Sequence, residues 1–221
     1  VAIDASRRGA EGDTGEAAHR AALLTPIAKA FATDAGIAVA SLGIQVHGGM
    51  GFIEETGAAV YMRDGRIAQI YEGTNGIQAI DLVMRKLPLA DGGCASAYFD
   101  ELDAVLEDLK ASNSPAFGTS HERLANAMAD LRGATDALKT MMTNGDTASA
   151  LAGATPYLKL FGLAAGGVYL AKSALADSGQ EERAALCRFF AENLVGETAN
   201  LRSTVEGGAA SLGAAATALV A

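Results

Sequence analysis

Apolar residues recur along this chain at three- and four-residue steps, and no stretch alternates convincingly with a period of two. Leu124, Met128, Leu131, Leu138 and Met142 show the spacing at its clearest. Such steps line up side chains on one face of an α-helix, whereas a half-buried strand needs strict alternation. The fold is therefore read as all-α. Composition supports this reading, because 50% of the 221 residues are hydrophobic, only 19% are charged and Pro occurs 4 times, which excludes a disordered chain. Aromatic residues make up 5% and Trp is absent, so Ala, Leu, Val and Met are expected to fill the core and let helices approach closely.

Punctuation along the chain divides it. Ala18, Leu23, Leu24, Ile27 and Phe31, then Ile37, Val39, Leu42 and Val46, mark two helical stretches; the TDAG at 33–36 is either a surface irregularity or a break between them. HGGMGF at 47–52 places three glycines in four positions, and at about 1 kcal/mol per helix-interior glycine it reads as a loop. A short helical segment follows over 58–73, and Thr74 or Asn75 is suited to cap a helix over 76–87, stopped by Pro88. PLADGGCAS at 88–96 is the best boundary, separating a unit over 1–90 from one over 91–221. In the second unit, Phe99, Leu102, Leu106 and Leu109 begin a set of four helices. The 124–142 pattern gives the second, Tyr157, Phe161, Val168 and Leu175 the third, and Leu186, Phe190, Leu194, Leu201 and Val205 the fourth. Short connections make an antiparallel bundle the expected arrangement. The chain opens at Val1 in a polar, Gly-rich stretch running to Glu16, which reads as a cut made in a loop of a longer protein.

Charge narrows the partners. The net charge is −9, and the only basic doublets are Arg7-Arg8 and Arg85-Lys86, so nothing resembles the basic stripe a phosphate backbone requires, and nucleic acid is not expected. Cys94 and Cys187 cannot make a disulfide framework and read as reduced, buried thiols of a cytoplasmic protein. His19, His47 and His121 are scattered, so no metal site is expected. The uncharged tail from Gly207 to Ala221 is shorter than the ~18 apolar residues of a membrane span, and neither a span nor a secretory signal is expected.

Two segments stand out chemically. QVHGGMGF (45–52) could free backbone N–H groups for a ligand's phosphates or polar rim, or serve only as a tight turn between helices. In IYEGTNGIQ (70–78), Glu72 sits between Tyr71 and Gly73 where a helix gives way to a polar turn; it is either a solvated surface carboxylate or a catalytic one.

Taken together and in order, LGIQVHGGMGF, VYMRDGRIAQIYEGTNGIQ and IDLVMRKL resemble the C-terminal helical domain of acyl-CoA dehydrogenases. The upstream TPIAKAFATDAGIAVASLGIQ fits the same pattern. From about residue 90 the likeness is to the extra helical domain of a longer subgroup, and it rests on position and helical pattern. That subgroup includes enzymes similar to those acting on 3-methylmercaptopropionyl-CoA as well as on fatty or aryl acyl-CoAs.

The resemblance implies oxidation of an acyl-CoA thioester to the trans-2-enoyl-CoA, with FAD reduced and electrons passed to an electron-transfer flavoprotein. Glu72 would be the base removing the α-proton, its carboxylate desolvated so that its proton affinity rises. The Glu72 N–H and a flavin ribityl hydroxyl would steady the enolate-like oxygen. Gly73 would let the turn approach the thioester, and Tyr71 would lie near the acyl pocket or flavin edge. Thr74 would touch FAD, while Gln45, Gly48 and Gly49 would touch the FAD of a neighbouring subunit in a dimer or tetramer. Arg63 and Asp64 read as structural, an ion pair or a helix-cap pair. Gly76 departs from the larger, often polar residue many members carry, and some relatives keep the base on another helix. The family's N-terminal helical and middle β-domains are not within these 221 residues, so the chain alone is expected to be inactive. Two other readings stand beside this one: a non-catalytic oligomerisation or interaction module, and an acyl-CoA oxidase using oxygen.

Overall fold

The computed structural model describes residues 7, 15–176 and 181–220. Most of the polar opening stretch, with its reading as a loop cut, lies outside the described residues. Every regular element among the described residues is helical, as the spacing predicts. Helix α1 (Glu16–Val46) runs 31 residues without interruption. The TDAG segment does not break it: the Thr33 hydroxyl returns to the Lys29 carbonyl at 2.8 Å, and a lone Gly36 costs too little to open a ladder of that length. The glycine cluster is only partly a loop. His47 and Gly48 form a turn, and Gly49–Phe52 then makes one helical turn, α2. Glycine is required at position 51, where a Cβ would meet the Ile44 carbonyl oxygen at 2.2 Å.

Helix α3 (Ala58–Arg66) tightens into a 3-10 turn at Ile67–Gln69. Helix α4 (Asn75–Asp81) passes into a π turn, Leu82–Lys86, closed by the Leu87 N–H to the Leu82 carbonyl. Left-handed backbone at Ala90, Asp91 and Gly92 then turns the chain into α5 (Gly93–Ser112). Helices α6 (Ser120–Thr143), α7 (Thr147–Ala152) and α8 (Ala154–Leu175) follow. The expected fourth helix is in fact two, α9 (Glu181–Asn193) and α10 (Thr198–Gly207), parted by a 3-10 turn at Val195–Glu197. The expected spacing marks the wrong face of the first of these: Leu186 and Leu194 are exposed, and the buried face runs through Ala184, Cys187, Ala191 and Val195, while the Thr198 hydroxyl donates to Asp130 at 2.8 Å and sets the new helix start against α6. The Ala-rich tail ends as an exposed helix, α11 (Ala210–Val220).

Helix α8 is the hub, touching α1, α4, α5, α6, α9 and α10. One buried apolar cluster runs from Leu23 and Leu82 through Tyr98 and Leu131 to Val205, so both sides of the 88–96 connection share it. Aliphatic residues fill most of it, yet the scarce aromatics gather at its centre. Tyr98 stacks on Phe161 with ring centroids 5.9 Å apart, and Tyr157 meets the same ring edge-on at 6.1 Å. Two helices, α1 and α8, are long and apolar enough by length and composition to cross a membrane, which inspection of the tail alone does not reveal; α8 is mostly buried within this core. The cysteines are unpaired. Cys187 is buried, and burial pushes its thiol up, while Cys94 is half-buried.

Small residues on α8 set its distance from its neighbours. A Cβ at Gly162 would lie 2.3 Å from a ring carbon of Phe31 on α1, and one at Gly167 would lie 2.4 Å from Leu124 on α6. Gly162→Val is therefore expected to cost about 2–3 kcal/mol through overpacking, read as a lowered midpoint in urea or thermal unfolding. The Tyr157 phenol is wholly buried, which raises it well above its ordinary range, and it shares a 2.8 Å hydrogen bond with Thr135. The Thr135 hydroxyl also donates to the Leu131 carbonyl at 2.7 Å. Thr135→Val leaves a buried phenol without its partner and should cost about 1–3 kcal/mol, whereas Tyr157→Phe leaves Thr135 satisfied and should cost less. Equal losses in the two variants would contradict this asymmetry.

Candidate functional site

The segment from Tyr71 to Asn75 is irregular backbone held against α1. Glu72 takes φ 52 and Gly73 φ 87, two left-handed residues in succession. For a non-glycine residue this conformation costs roughly 1–2 kcal/mol, so surrounding contacts must hold it. A side chain at Gly73 would be strained by that φ and would bring a Cβ within 3.2 Å of Gln78 Nε2.

The carbonyls of both strained residues are tied down. Gln78 Nε2 donates to the Glu72 carbonyl at 3.2 Å. Lys29 Nζ donates to the Gly73 carbonyl at 2.9 Å and to Asn75 Oδ1 at 2.8 Å, and lies 5.9 Å from the centre of the Tyr71 ring. Asn75 in turn donates to the Ala30 carbonyl at 3.2 Å, the Thr33 hydroxyl at 2.9 Å and Asp34 Oδ1 at 2.7 Å. Asp34 also accepts from Gln69 Nε2 at 2.6 Å, so the chain on the other side of Glu72 is fastened to the same carboxylate. Lys29 and Thr33 lie four residues apart on one face of α1, and Asp34, next along the helix, reaches Asn75 from the flank of that face.

Of the two capping candidates, Thr74 is the N-cap of α4, accepting from the Ile77 N–H at 3.5 Å, and Asn75 instead bonds to α1. Glu72, Tyr71 and Thr74 are exposed and Gly73 is half-buried. Among the described residues the Glu72 N–H has no backbone acceptor. No enclosure around the Glu72 carboxylate is formed among the described residues.

Gln45, Gly48 and Gly49 are exposed at the far end of α1. Position 45 is sixteen residues beyond Lys29, roughly 24 Å along the axis at 1.5 Å per residue. The structure thus brings Tyr71, Glu72, Gly73 and Thr74 together and sets Gln45, Gly48 and Gly49 apart from them. Between the two lies a groove of about 530 Å³ lined by Ile37, Ala40, Tyr61 and Gly65 among others, and none of residues 71–74 contributes to it. His47 Nδ1 lies 2.9 Å from the Gly43 carbonyl, and no group of three or more metal-ligating side chains occurs among the described residues. Arg63 pairs with Glu54 rather than with its neighbour Asp64. The sequence does not single out Lys29 or Gln78, whose only signal is a polar residue at each position, and it marks Asn75 as a helix cap rather than as an anchor to α1.

Comparison with known proteins places the chain. The family described as acyl-CoA dehydrogenase, C-terminal domain, matches residues 6–87, and that described as acetyl-CoA dehydrogenase C-terminal like matches residues 98–216. The chain is 45% identical over 175 residues to a 3-methylmercaptopropionyl-CoA dehydrogenase of Ruegeria pomeroyi, covering 79% of this chain and 29% of that protein. It is 31% identical over 128 residues to a butyryl-CoA dehydrogenase of Syntrophomonas wolfei, covering 58% of this chain and 20% of the relative. Over 52 residues it is 48% identical to a short-chain specific acyl-CoA dehydrogenase of Megasphaera elsdenii, 24% of this chain and 14% of that one. The chain spans less than a third of the length of each of these relatives. With both halves matched by C-terminal domains of one family, and a helical fold to suit, the chain belongs to the acyl-CoA dehydrogenase family.

Proposed function

We propose that this chain is the base-bearing part of an FAD-dependent enzyme that oxidises an acyl-CoA thioester to the trans-2-enoyl-CoA. Glu72 takes the α-proton onto its carboxylate, and the β-hydrogen leaves with its electron pair. FAD, when bound, supplies the acceptor for that hydride. The observation that carries this reading is the Glu72–Gly73 turn: a carboxylate at the tip of a strained, left-handed backbone fastened on both sides. Strain of this kind collects where geometry serves function, and at Glu72 it coincides with a turn held by side-chain hydrogen bonds from Lys29 and Gln78. The Glu72 N–H, with no backbone acceptor among the described residues, is available to the thioester oxygen as negative charge develops there.

The residues present fit a shared FAD site. The Thr74 hydroxyl accepts from Ile77 and keeps its own proton to donate, and at Gly48 and Gly49 a Cβ would meet nothing within 4 Å, so the loop is open to an approaching group. Their separation along α1 suits a cofactor that meets Thr74 of one subunit and Gln45, Gly48 and Gly49 of another. An oligomer, dimer or tetramer, forms part of the proposal, as do an electron-transfer flavoprotein as acceptor and a cytoplasmic location. The apolar surface agrees with an incomplete site: Val39, Leu42, Val46, Met50 and Phe52 are exposed by between 58% and 84%. Such a patch calls for cover from further protein, and the chain by itself is proposed to be inactive.

Residues 91–221 are proposed to be a non-catalytic unit that shares its core with the unit over 1–90. The observation favouring this is that the buried polar side chains there, Ser120, Thr135 and Thr198, are each satisfied internally, by Phe117, by Leu131 and Tyr157, and by Asp130. None is left free for a ligand.

The test is anaerobic bleaching of flavin absorbance in the full-length protein with a panel of acyl-CoAs. Glu72→Gln should slow bleaching by about 10²–10⁴-fold while FAD stays bound, the range a positioned general base contributes. Bleaching at the wild-type rate would remove Glu72 from the mechanism.

A further inference from the structure

We propose that Lys29 is a positioning residue for Glu72, holding the left-handed turn in the one geometry that aims the carboxylate at its substrate; the inference rests on Glu72 being the base. Lys29 is half-buried on α1, and its ammonium has three protons to place. One goes to the Gly73 carbonyl at 2.9 Å and one to Asn75 Oδ1 at 2.8 Å, so a single cation closes the turn at its exit. The bond to Gly73 fixes the peptide plane that follows the strained pair, while Gln78 fixes the plane between Glu72 and Gly73. With both planes fixed, the backbone torsions of Gly73 are set, and the direction of the Glu72 side chain is restrained with them.

The bonds are not interchangeable. Asn75 can reach α1 without Lys29, through Ala30, Thr33 and Asp34. It therefore anchors the start of α4 but not the residue before Thr74. Among the described residues, only Lys29 donates to the Gly73 carbonyl. Removing its ammonium leaves the helix anchored and releases the turn alone. A charged donor to a carbonyl is also about twice as strong as a neutral one, which suits a bond that must hold a left-handed glutamate. The Tyr71 ring face, 5.9 Å from Nζ, adds a further attraction and keeps the residue preceding the base near the same cation.

The experiment compares Lys29→Met, Lys29→Arg and Glu72→Gln in the full-length protein, each with FAD bound. Flavin reduction by acyl-CoA is followed by stopped flow, and amide hydrogen exchange by mass spectrometry. For Lys29→Met the maximal rate of reduction should fall about 30–100-fold, the cost of a small misplacement of a reacting group. The acyl-CoA concentration at half-maximal rate should change less than about 3-fold, because uniform binding is untouched. Exchange over residues 70–74 should quicken while α1 and α4 keep their protection. Lys29→Arg, which can still donate to the Gly73 carbonyl, should recover most of the rate. A Lys29→Met protein that reduces flavin within about 2-fold of wild type overturns the proposal, provided Glu72→Gln is inactive. So do equal losses in the Met and Arg variants accompanied by faster exchange throughout α1, which would assign Lys29 to folding. If Glu72→Gln itself reduces flavin normally, the assignment of the base fails, and the proposal for Lys29 falls with it.

Discussion

The close seat of α1 on α8 is the contact on which the rest of the site depends. Phe31 lies against the bare backbone of Gly162, nearer than any side chain at that position would permit. Two residues before Phe31 comes Lys29, and two and three residues after it come Thr33 and Asp34, the side chains that grip the Glu72 turn. A helix is a stiff rod over such a distance, so the depth to which Phe31 packs sets where those polar groups stand. The core transmits its precision to the surface through one aromatic ring on one glycine. Protein interiors are packed densely enough for this to work, since a shift of a few tenths of an ångström is resisted by many contacts at once.

The Glu72 turn then reads as a balance of opposed terms. Left-handed backbone at a glutamate costs roughly 1–2 kcal/mol. Hydrogen bonds from Lys29 and Gln78 to the carbonyls of the strained pair are each worth about 0.5–3 kcal/mol net, the charged one at the upper end. The bonds outweigh the strain, and the conformation persists in an exposed position without burial to hold it.

The two ends of α1 have different surroundings. Its first half is buried from Leu23 to Ala30 against the bundle, while its second half and the elements up to Ile80 carry large apolar side chains at the surface, among them Val46 at 84% and Phe52 at 82% exposed. An apolar surface of this extent is costly in water and is characteristic of a contact face. The bundle of α5, α6, α8, α9 and α10, by contrast, buries its apolar faces around Tyr157, Phe161 and Leu131, in a core it shares with the first half of α1 and with α4.

The sequence by itself determined the all-α class, because three- and four-residue apolar steps admit one periodicity, and it located the turn at Glu72, because a glycine beside a polar run cannot continue a helix. It also marked Gly48 and Gly73 as irregular positions and offered Thr74 or Asn75 as a cap, since these backbone preferences are local, but it missed the helical turn that Gly49 begins. The bundle helices led by Phe99, Leu124 and Phe161 were legible for the same reason. What is non-local was not legible. The break between α9 and α10 is hidden because buried Val195 keeps the apolar rhythm across it. The TDAG segment stays helical because flanking turns outweigh one glycine. Above all, nothing in the residues themselves pairs Lys29 with Gly73 across 44 positions, or Asn75 with Asp34 across 41. Those partners meet through the packing of α1 on the bundle, because side-chain hydrogen bonds form between neighbours in space, and packing decides which residues become neighbours.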